Sequence, residues 1–381
     1  VKIVIASDSF KGSLSAKEVG EAIARGIKKS SPSIETVNVP MADGGEGTVS
    51  AMVDATKGCF VEVEALDPLG RKATAVYGLL SDGETAVIEV ASVIGLPLLS
   101  LEERDPDRTS TYGIGEMILD AMERGCKRFI IGLGGSSTND GGVGMLKALG
   151  ARFCDQKGNA LEPRARELKN LRSIDLSGLD PRLFEASFRV ACDVENTICG
   201  PQGASKIFGP QKGADDSLVL QLEEALKQYA AVLGETIGSN LFEIKGGGAA
   251  GGLGVAFHAV LGAELERGVE IVKDVIGLER HLEDAQLVIT GEGRMDGQTV
   301  FGKTPHGVAR SAKKYGLPVI GIAGGLGADA DVLYGHGFDA LFGIADAPMR
   351  LEESMGRSGE LLEKAGRNIV QLIQMNLEVE K

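Results

Sequence analysis

The sequence predicts an α/β fold of two dissimilar domains, and three observations carry that expectation. Short apolar runs recur, each followed by glycine or small polar residues and then by a segment of helical spacing. One stretch in the first quarter of the chain instead alternates apolar and polar residues between turn signals. Glycine, at 54 of 381 residues, is about twice its usual share and clusters behind the apolar runs without any period.

Taken in order, "KIVIA" reads as a buried strand leading into "SDSFKGSLSAKEVGEAIARGIKK", a helix that Ser13 or Ser15 can cap while Lys17 and Glu18 face solvent. "FVEVEALDPLGRKATAVYGLLSDGETAVIEVAS" alternates, with turns at Asp67-Pro68-Leu69-Gly70 and Ser81-Asp82-Gly83, and reads as antiparallel hairpins. "RFIIGLG" is a buried strand breaking into a loop with five glycines between Gly134 and Gly144. "AQLVIT", ending at Thr290, and "PVIGIAGG" are again strands before helical segments. The last segment places Leu361, Ala365, Ile369, Leu372 and Ile373 on one face of a closing amphipathic helix. These textures put residues 1–65 and 285–381 in one discontinuous domain with a parallel, Rossmann- or flavodoxin-like sheet. Residues 66–284 then form an inserted mixed α/β domain. In open parallel sheets, ligands bind beyond the carboxyl ends of the strands, where these loops lie.

Composition narrows the function. A hydrophobic share of 43% with 25% charged residues is that of an ordinary globular protein. The net charge of −14, without a lysine or arginine cluster, argues against nucleic acid as a partner, although one basic cleft for a small anion is compatible with it. Five scattered cysteines without a C-x-x-C pair read as reduced thiols. The opening apolar run is too short for a signal peptide, and "AAGGLGVAFHAVLGAEL" is too short and glycine-broken to span a bilayer. The expectation is a soluble, cytoplasmic protein.

The loops behind the apolar runs collect a coherent chemistry. Asp8 and Lys11 lie in "SDSFKGSLSA", Asp43 and Glu46 in "MADGGEGT", and Asp140 in the glycine loop with Gly134, Gly135, Ser136 and Asn139. Asp193 follows "FRVAC", and Glu292, Arg294, Asp296 and Lys303 lie in "TGEGRMDGQTVFGKTP". Each acid alone reads as a cap or a solvated turn residue. Together they match what phosphoryl transfer requires: backbone N–H groups around phosphate oxygens, carboxylates for Mg²⁺, a cation and a base near the attacking hydroxyl. The competing explanation of the glycines is tight turning and close packing of helix on sheet.

Other chemistries have less support. "GQTVFGKT" (297–304) satisfies G-x-x-x-x-G-K-[ST], but six residues separate it from "LVIT" and Pro305 follows at once, which is not how a phosphate loop leaves its strand. No G-x-G-x-x-G follows the first strand, so a nicotinamide-dependent hydroxyacid dehydrogenase lacks its dinucleotide loop. His258, His281, His306 and His336 are dispersed, and no G-x-S-x-G elbow occurs. A non-catalytic metabolite-binding regulator would not need several clustered acids.

The chain resembles the bacterial type-I glycerate kinases almost end to end. The resemblance runs through "DSFKGSLSA", "MADGGEGT", "DPLGR", "GLGGSSTNDGG", "ACDVENTICGPQGAS", "FGPQKGA", "GGGAAGGLG", "TGEGRMDGQT" and "GKTP". It implies phosphorylation of D-glycerate by ATP with Mg²⁺, with 2-phosphoglycerate favoured over 3-phosphoglycerate, and two α/β domains enclosing an active-site cleft. It also implies that "GQTVFGKT" is not a phosphate loop. On this reading the expected partners are D-glycerate and ATP, with no nucleic acid and no membrane; the oligomeric state is open, a homodimer being the candidate.

The residue roles expected are as follows. Asp193, held at a strand end, is the base or orients the attacking hydroxyl, with Asp296 next in line for that role. Lys11 and Lys303 hold anionic groups. Asp43, Glu46 and Glu292, with Asp296 beside them, serve the Mg²⁺–phosphate end. Asp8, Gly134, Gly135, Ser136, Asn139, Asp140 and Arg294 complete the substrate and phosphate contacts.

Overall fold

The computed structural model describes residues 1–161 and 163–375. The first apolar run and its successor are β1 (Lys2–Ile5) and β2 (Glu35–Asn38). The alternating stretch supplies β3 (Cys59–Leu66), β4 (Lys72–Leu79) and β5 (Thr85–Glu89). The middle of the chain adds β6 (Arg128–Gly132), β7 (Arg152–Cys154), β8 (Ser173–Asp175), β9 (Ser187–Ala191) and β10 (Glu264–Glu266). The last strands are β11 (Leu287–Met295), β12 (Val319–Leu326) and β13 (Ala340–Gly343).

The chain divides into two compact units. The first comprises Val1–Asp43, Ser50–Thr56 and the chain from Val269 onward; the second comprises Gly44–Val49 and Lys57–Gly268. These bounds differ in two places from those expected at 65 and 285. β3 is one arm of a hairpin, paired with β4 from Cys59↔Leu79 to Leu66↔Lys72, so its inward-facing Val61, Val63 and Ala65 pack, half-buried to buried, on the core of the second unit. The helices Gly268–Ile276 and Leu278–Leu282 fall almost wholly in the first unit.

In the first unit all five strands are parallel, in the order β2-β1-β11-β12-β13. The runs "KIVIA" and "LVIT", nearly the whole chain apart, are neighbours, with Ile3 opposite Leu287 and Ile5 opposite Ile289. Numbered within the unit this is 2-1-3-4-5, the flavodoxin-type order, whose direction reverses between β1 and β11. Ile3, Val4 and Ile5 are at most 1% exposed. Burying each side chain of this size stabilises by about 1.5–3 kcal/mol.

Helix Ala16–Ser30 starts with a capping box: Ser15 accepts from Glu18 N, and Glu18 accepts from Ser15 N. Ser15 is therefore the cap and Glu18 part of it, while Ser13 donates to the carbonyl of Met355. The helix packs against Ser358–Gln374 through glycines. A Cβ on Gly26 would lie 1.9 Å from the carbonyl oxygen of Glu363, and one on Gly366 would lie 2.5 Å from that of Ile23. This contact rotates the closing helix away from the stripe expected of it. Leu361, Leu362, Gly366, Ile369 and Val370 are buried, whereas Leu372 and Ile373 are more than half exposed. The end of that stretch, residues 376–381, lies outside the described residues.

The second unit holds a mixed sheet, β10-β9-β6-β5-β4-β3, and a two-stranded antiparallel pair, β7-β8. β3, β4 and β5 are antiparallel hairpins, whereas β5, β6, β9 and β10 run parallel. Asp67 folds the first hairpin turn by accepting from Leu69 N and Arg71 N at 2.9 and 2.8 Å. All five cysteines are free. Among the described residues no helix is long and apolar enough to cross a membrane.

Candidate active site

The first unit gathers a carboxylate–lysine cluster at the strand ends where its order reverses. Asp8 N donates to the carbonyl of Gly291 at 2.9 Å, continuing the β1–β11 pairing past β1 and setting Asp8 near Glu292. Asp8 accepts from Thr304 Oγ1 and from Ser9 N, both at 2.6 Å. Burial, and then the neighbouring charge of Asp43, push the Asp8 carboxyl up to about 7 despite these bonds. Glu292 accepts from Thr299 Oγ1 at 2.8 Å and lies 3.4 Å from Lys303 Nζ. Burial raises its pKa, Lys303 and Thr299 oppose that, and Asp43 adds to it. Asp8, Asp43, Glu292 and Lys303 thus share one electrostatic neighbourhood.

The same loops place the other expected residues. Lys303 is the N-cap position of helix Thr304–Lys314, with Pro305 in its first turn. Lys11 is exposed in the turn Phe10–Leu14, whose backbone lies against Gly293. Asp296 accepts from Gln298 N at 3.0 Å and caps the 3₁₀ turn Gly297–Phe301; its other oxygen takes Arg294 Nε at 3.1 Å. Arg294 itself points largely into solvent.

One expectation about this motif needs correction. β11 does not stop at Thr290 but pairs with β12 as far as Met295↔Leu326, so Gly297 follows the strand almost at once. The spacing argument against a phosphate loop therefore fails. The segment differs from one because Gly297–Phe301 is a capped 3₁₀ turn between the strand and the helix. Among the described residues no set of three or more His, Cys, Asp or Glu stands close enough to hold a metal ion. His306 and His336, which the sequence leaves dispersed, meet edge to face at 5.5 Å.

In the second unit the five glycines separate into two groups. Gly141 and Gly142 have φ of 66° and 81°, and a Cβ on either would strike Tyr229 or Ala256 within 2.7 Å. A Cβ on Gly144 would lie 2.2 Å from Ser110 Oγ. Those three are glycine because protein packs against them. Gly134 and Gly135 are exposed, and a Cβ on either would meet no neighbour nearer than 3.3 Å. Only this pair leaves its backbone open to a ligand.

The rest of the loop is held from behind. Asp140 accepts from Thr111 N and Oγ1, Gly142 N and Gly144 N at 2.9–3.1 Å, so its oxygens organise the loop. Asn139 is fully buried and donates to Ser205 Oγ at 3.0 Å; Ser136 is 7% exposed. A second glycine-rich segment, "GGGAAGGLG", packs backbone to backbone on it. Gly141 N donates to the carbonyl of Gly251 at 2.9 Å, and residues 250–252 take left-handed angles that break the helix Ala249–Leu261.

Asp193 lies two residues beyond β9, exposed, with Oδ1 accepting from Gly268 N at 3.1 Å. Glu46 is exposed, and its charge acts on Glu89 at the end of β5, which accepts from Val49 N at 2.8 Å. Burial raises Glu89, and the N–H groups of Val49, Gly47 and Thr48 pull it down.

Four residues that shape these sites carry no role in the sequence reading: Thr299, Thr304, Glu89 and Lys212. The two threonines and Lys212 stand inside stretches singled out for other residues. Glu89 ends an alternating strand and looks like any outward-facing acid. What marks Thr304, Glu89 and Lys212 is a partner distant in sequence, which no local spacing encodes, whereas Thr299 bonds Glu292 only seven residues away. Lys212 is 2% exposed and donates to the carbonyl of Thr138 at 2.6 Å and to Ser136 Oγ at 3.2 Å.

Comparison with known proteins bears on what such sites do. The model of the glycerate kinase family matches residues 3–374. Glycerate 2-kinase of Escherichia coli K12 is 48% identical over 377 residues, 99% of each chain. Glycerate kinase of Bacillus subtilis 168 is 47% identical over 375 residues, 98% of each. A crystal structure from Salmonella typhimurium LT2, provisionally assigned as glycerate kinase 2, superposes with a TM-score of 0.90 at 47% identity over 98% of both chains.

Proposed function

This chain belongs to the glycerate kinase family, and from that premise we propose that it transfers the γ-phosphoryl group of ATP to D-glycerate, forming 2-phosphoglycerate in preference to 3-phosphoglycerate. The observation that carries the reading is the carboxylate–lysine cluster at the strand-order reversal of the first unit, the position where open parallel sheets bind ligands. The exposed Gly134–Gly135 turn supports an oxyanion contact in the second unit. The E. coli relative's name supports the 2-position. We also propose that the two compact units are the enzyme's domains and that it works in the cytoplasm.

In this reading the hydroxyl oxygen of glycerate forms a bond to the γ-phosphorus as the bond from that phosphorus to the ADP oxygen breaks. Asp193 orients that hydroxyl and accepts its proton. Lys303 and Lys11 hold oxyanions of substrate or nucleotide, each next to backbone at a loop or helix start. Ser136 lies on the glycine turn, whereas Asp140 and Asn139 act by holding that turn in shape. Asp296 shapes the loop that carries Lys303, and is the next candidate for base.

The charges of Asp8, Asp43 and Glu292 act on one another and burial raises two of them, so a divalent cation held by one or two of these carboxylates would relieve their repulsion. Mg²⁺ when bound neutralises phosphate charge. It takes only one or two protein carboxylates, so the remaining acids, Glu46 and Asp296 among them, act from further out. Asp43→Asn, Glu46→Gln, Glu292→Gln and Asp296→Asn are expected to raise the Mg²⁺ concentration for half-maximal rate in at least one case. Unchanged Mg²⁺ dependence in all four removes the assignment. The reading as a whole is tested by turnover with ATP and D-glycerate, the product resolved by NMR as 2- or 3-phosphoglycerate.

A further inference from the structure

We propose that Lys212 is a positioning residue for oxyanion binding at the Gly134–Ser136 turn, tethering the turn from within the protein and backing it with a buried amino group that an anion on the turn holds in its charged form. The inference rests on the reading of that turn as a ligand contact. It starts from an energetic oddity. An ammonium group is among the costliest groups to bury, and a chain that needed only to fill this space would do so more cheaply with methionine. Lys212 is nevertheless buried to 2% exposure, and both acceptors it reaches, Thr138 O at 2.6 Å and Ser136 Oγ at 3.2 Å, are neutral.

The acceptors lie on one short loop. Lys212 ends the 3₁₀ turn Pro210–Lys212, and its side chain crosses to the segment immediately after the two exposed glycines. Gly135, at φ 76°, has conformational freedom that no side chain restrains. The lysine fixes the two residues that follow it closely, Ser136 by its hydroxyl and Thr138 by its carbonyl. Burial holds the ammonium down, at about 7, with Asp140 acting the other way. An anion seated on the turn would further favour its charged form. Backbone donors on the outside and a buried ammonium on the inside make a two-layered anion contact.

The oxyanion has two sources in this reaction, the carboxylate of glycerate and the phosphates of ATP, and the test separates them. In Lys212→Met, which keeps the volume and removes the charge, KM for one of the two substrates is expected to rise at least about tenfold, the scale of losing a charge-assisted contact. kcat at saturation and the melting temperature change much less. A rise for D-glycerate assigns the turn to the carboxylate, and a rise for ATP assigns it to phosphate. A folded variant whose KM values both match wild type, or whose melting temperature alone falls, overturns the proposal. Should Lys212→Met not fold, the ¹⁵Nζ resonance of Lys212 in the wild-type protein carries the test. It shifts on saturation with the substrate that the turn holds, and a signal unmoved by both substrates overturns the inference. Absence of glycerate-kinase turnover in the wild type would instead remove the underlying reading, independently of Lys212.

Discussion

Asp193→Asn is expected to lower kcat by at least about 100-fold, the lower end of what a general base contributes, with the fold and ATP binding retained. The substitution keeps an oxygen that can accept from the N–H of Gly268 and removes the charge and proton affinity. Asp193 stands two residues past β9, at the carboxyl end of a parallel strand, and is exposed. A kinase base accepts its proton late in a loose transition state, so placement counts more than an elevated pKa. A merely structural acid at this position predicts a stability loss of about 1 kcal/mol and near-normal turnover. A folded variant with more than about a tenth of the wild-type kcat moves the role to Asp296. That residue begins from a weaker position, because its oxygens already cap the 3₁₀ turn and pair with Arg294.

Gly251→Ala is expected to destabilise the protein by about 3 kcal/mol or more and to abolish most activity in whatever fraction folds. Gly251 has φ 70°, and its Cβ would lie 2.1 Å from the carbonyl oxygen of Thr138 and 2.5 Å from Asn139 Cα. Neither is a flexible side-chain end, so one of the two glycine-rich backbones must move. Thr138 O is also the carbonyl that receives Lys212, and Gly251 O receives Gly141 N. The strain therefore enters the loop whose outer turn we assign to ligand. Urea unfolding checks the prediction: a midpoint and slope equal to wild type show that the two segments are not in the contact described. Gly134→Ala provides the contrast, since a Cβ there meets nothing closer than 3.4 Å. Its stability should match wild type within about 1 kcal/mol, and any loss of rate would come from the blocked approach of a ligand.

Much of the candidate site was legible because its chemistry is local. Asp8, Asp43, Glu292 and Lys303 each follow an apolar run, and buried strands present their carboxyl ends at one edge of a parallel sheet. The hairpins were legible for the same reason: alternation and turn residues act over a few neighbours. Where the sequence reading went astray, a non-local contact decided. β11 runs five residues past Thr290 because β12 pairs with it that far, and "GEGRM" carries no strand signal of its own. The closing helix buries Leu362 and Val370 instead of Leu372 and Ile373 because Gly26 and Gly366 bring two backbones together.

By itself, then, the sequence determined the α/β class, the loops that hold acids and lysines, and the concentration of glycine where backbone comes close or turns left-handed. Those properties follow from side-chain volume, periodicity and backbone freedom, which each residue carries with it. Tertiary structure alone decided that Gly141, Gly142 and Gly144 are filled by protein while Gly134 and Gly135 stay open. It alone set Glu46 beside Glu89 and sank Lys212 behind the turn. The cost of burying a charge and the room beside a Cα depend on atoms brought from elsewhere in the chain, and those are specified only once the strands have found their order.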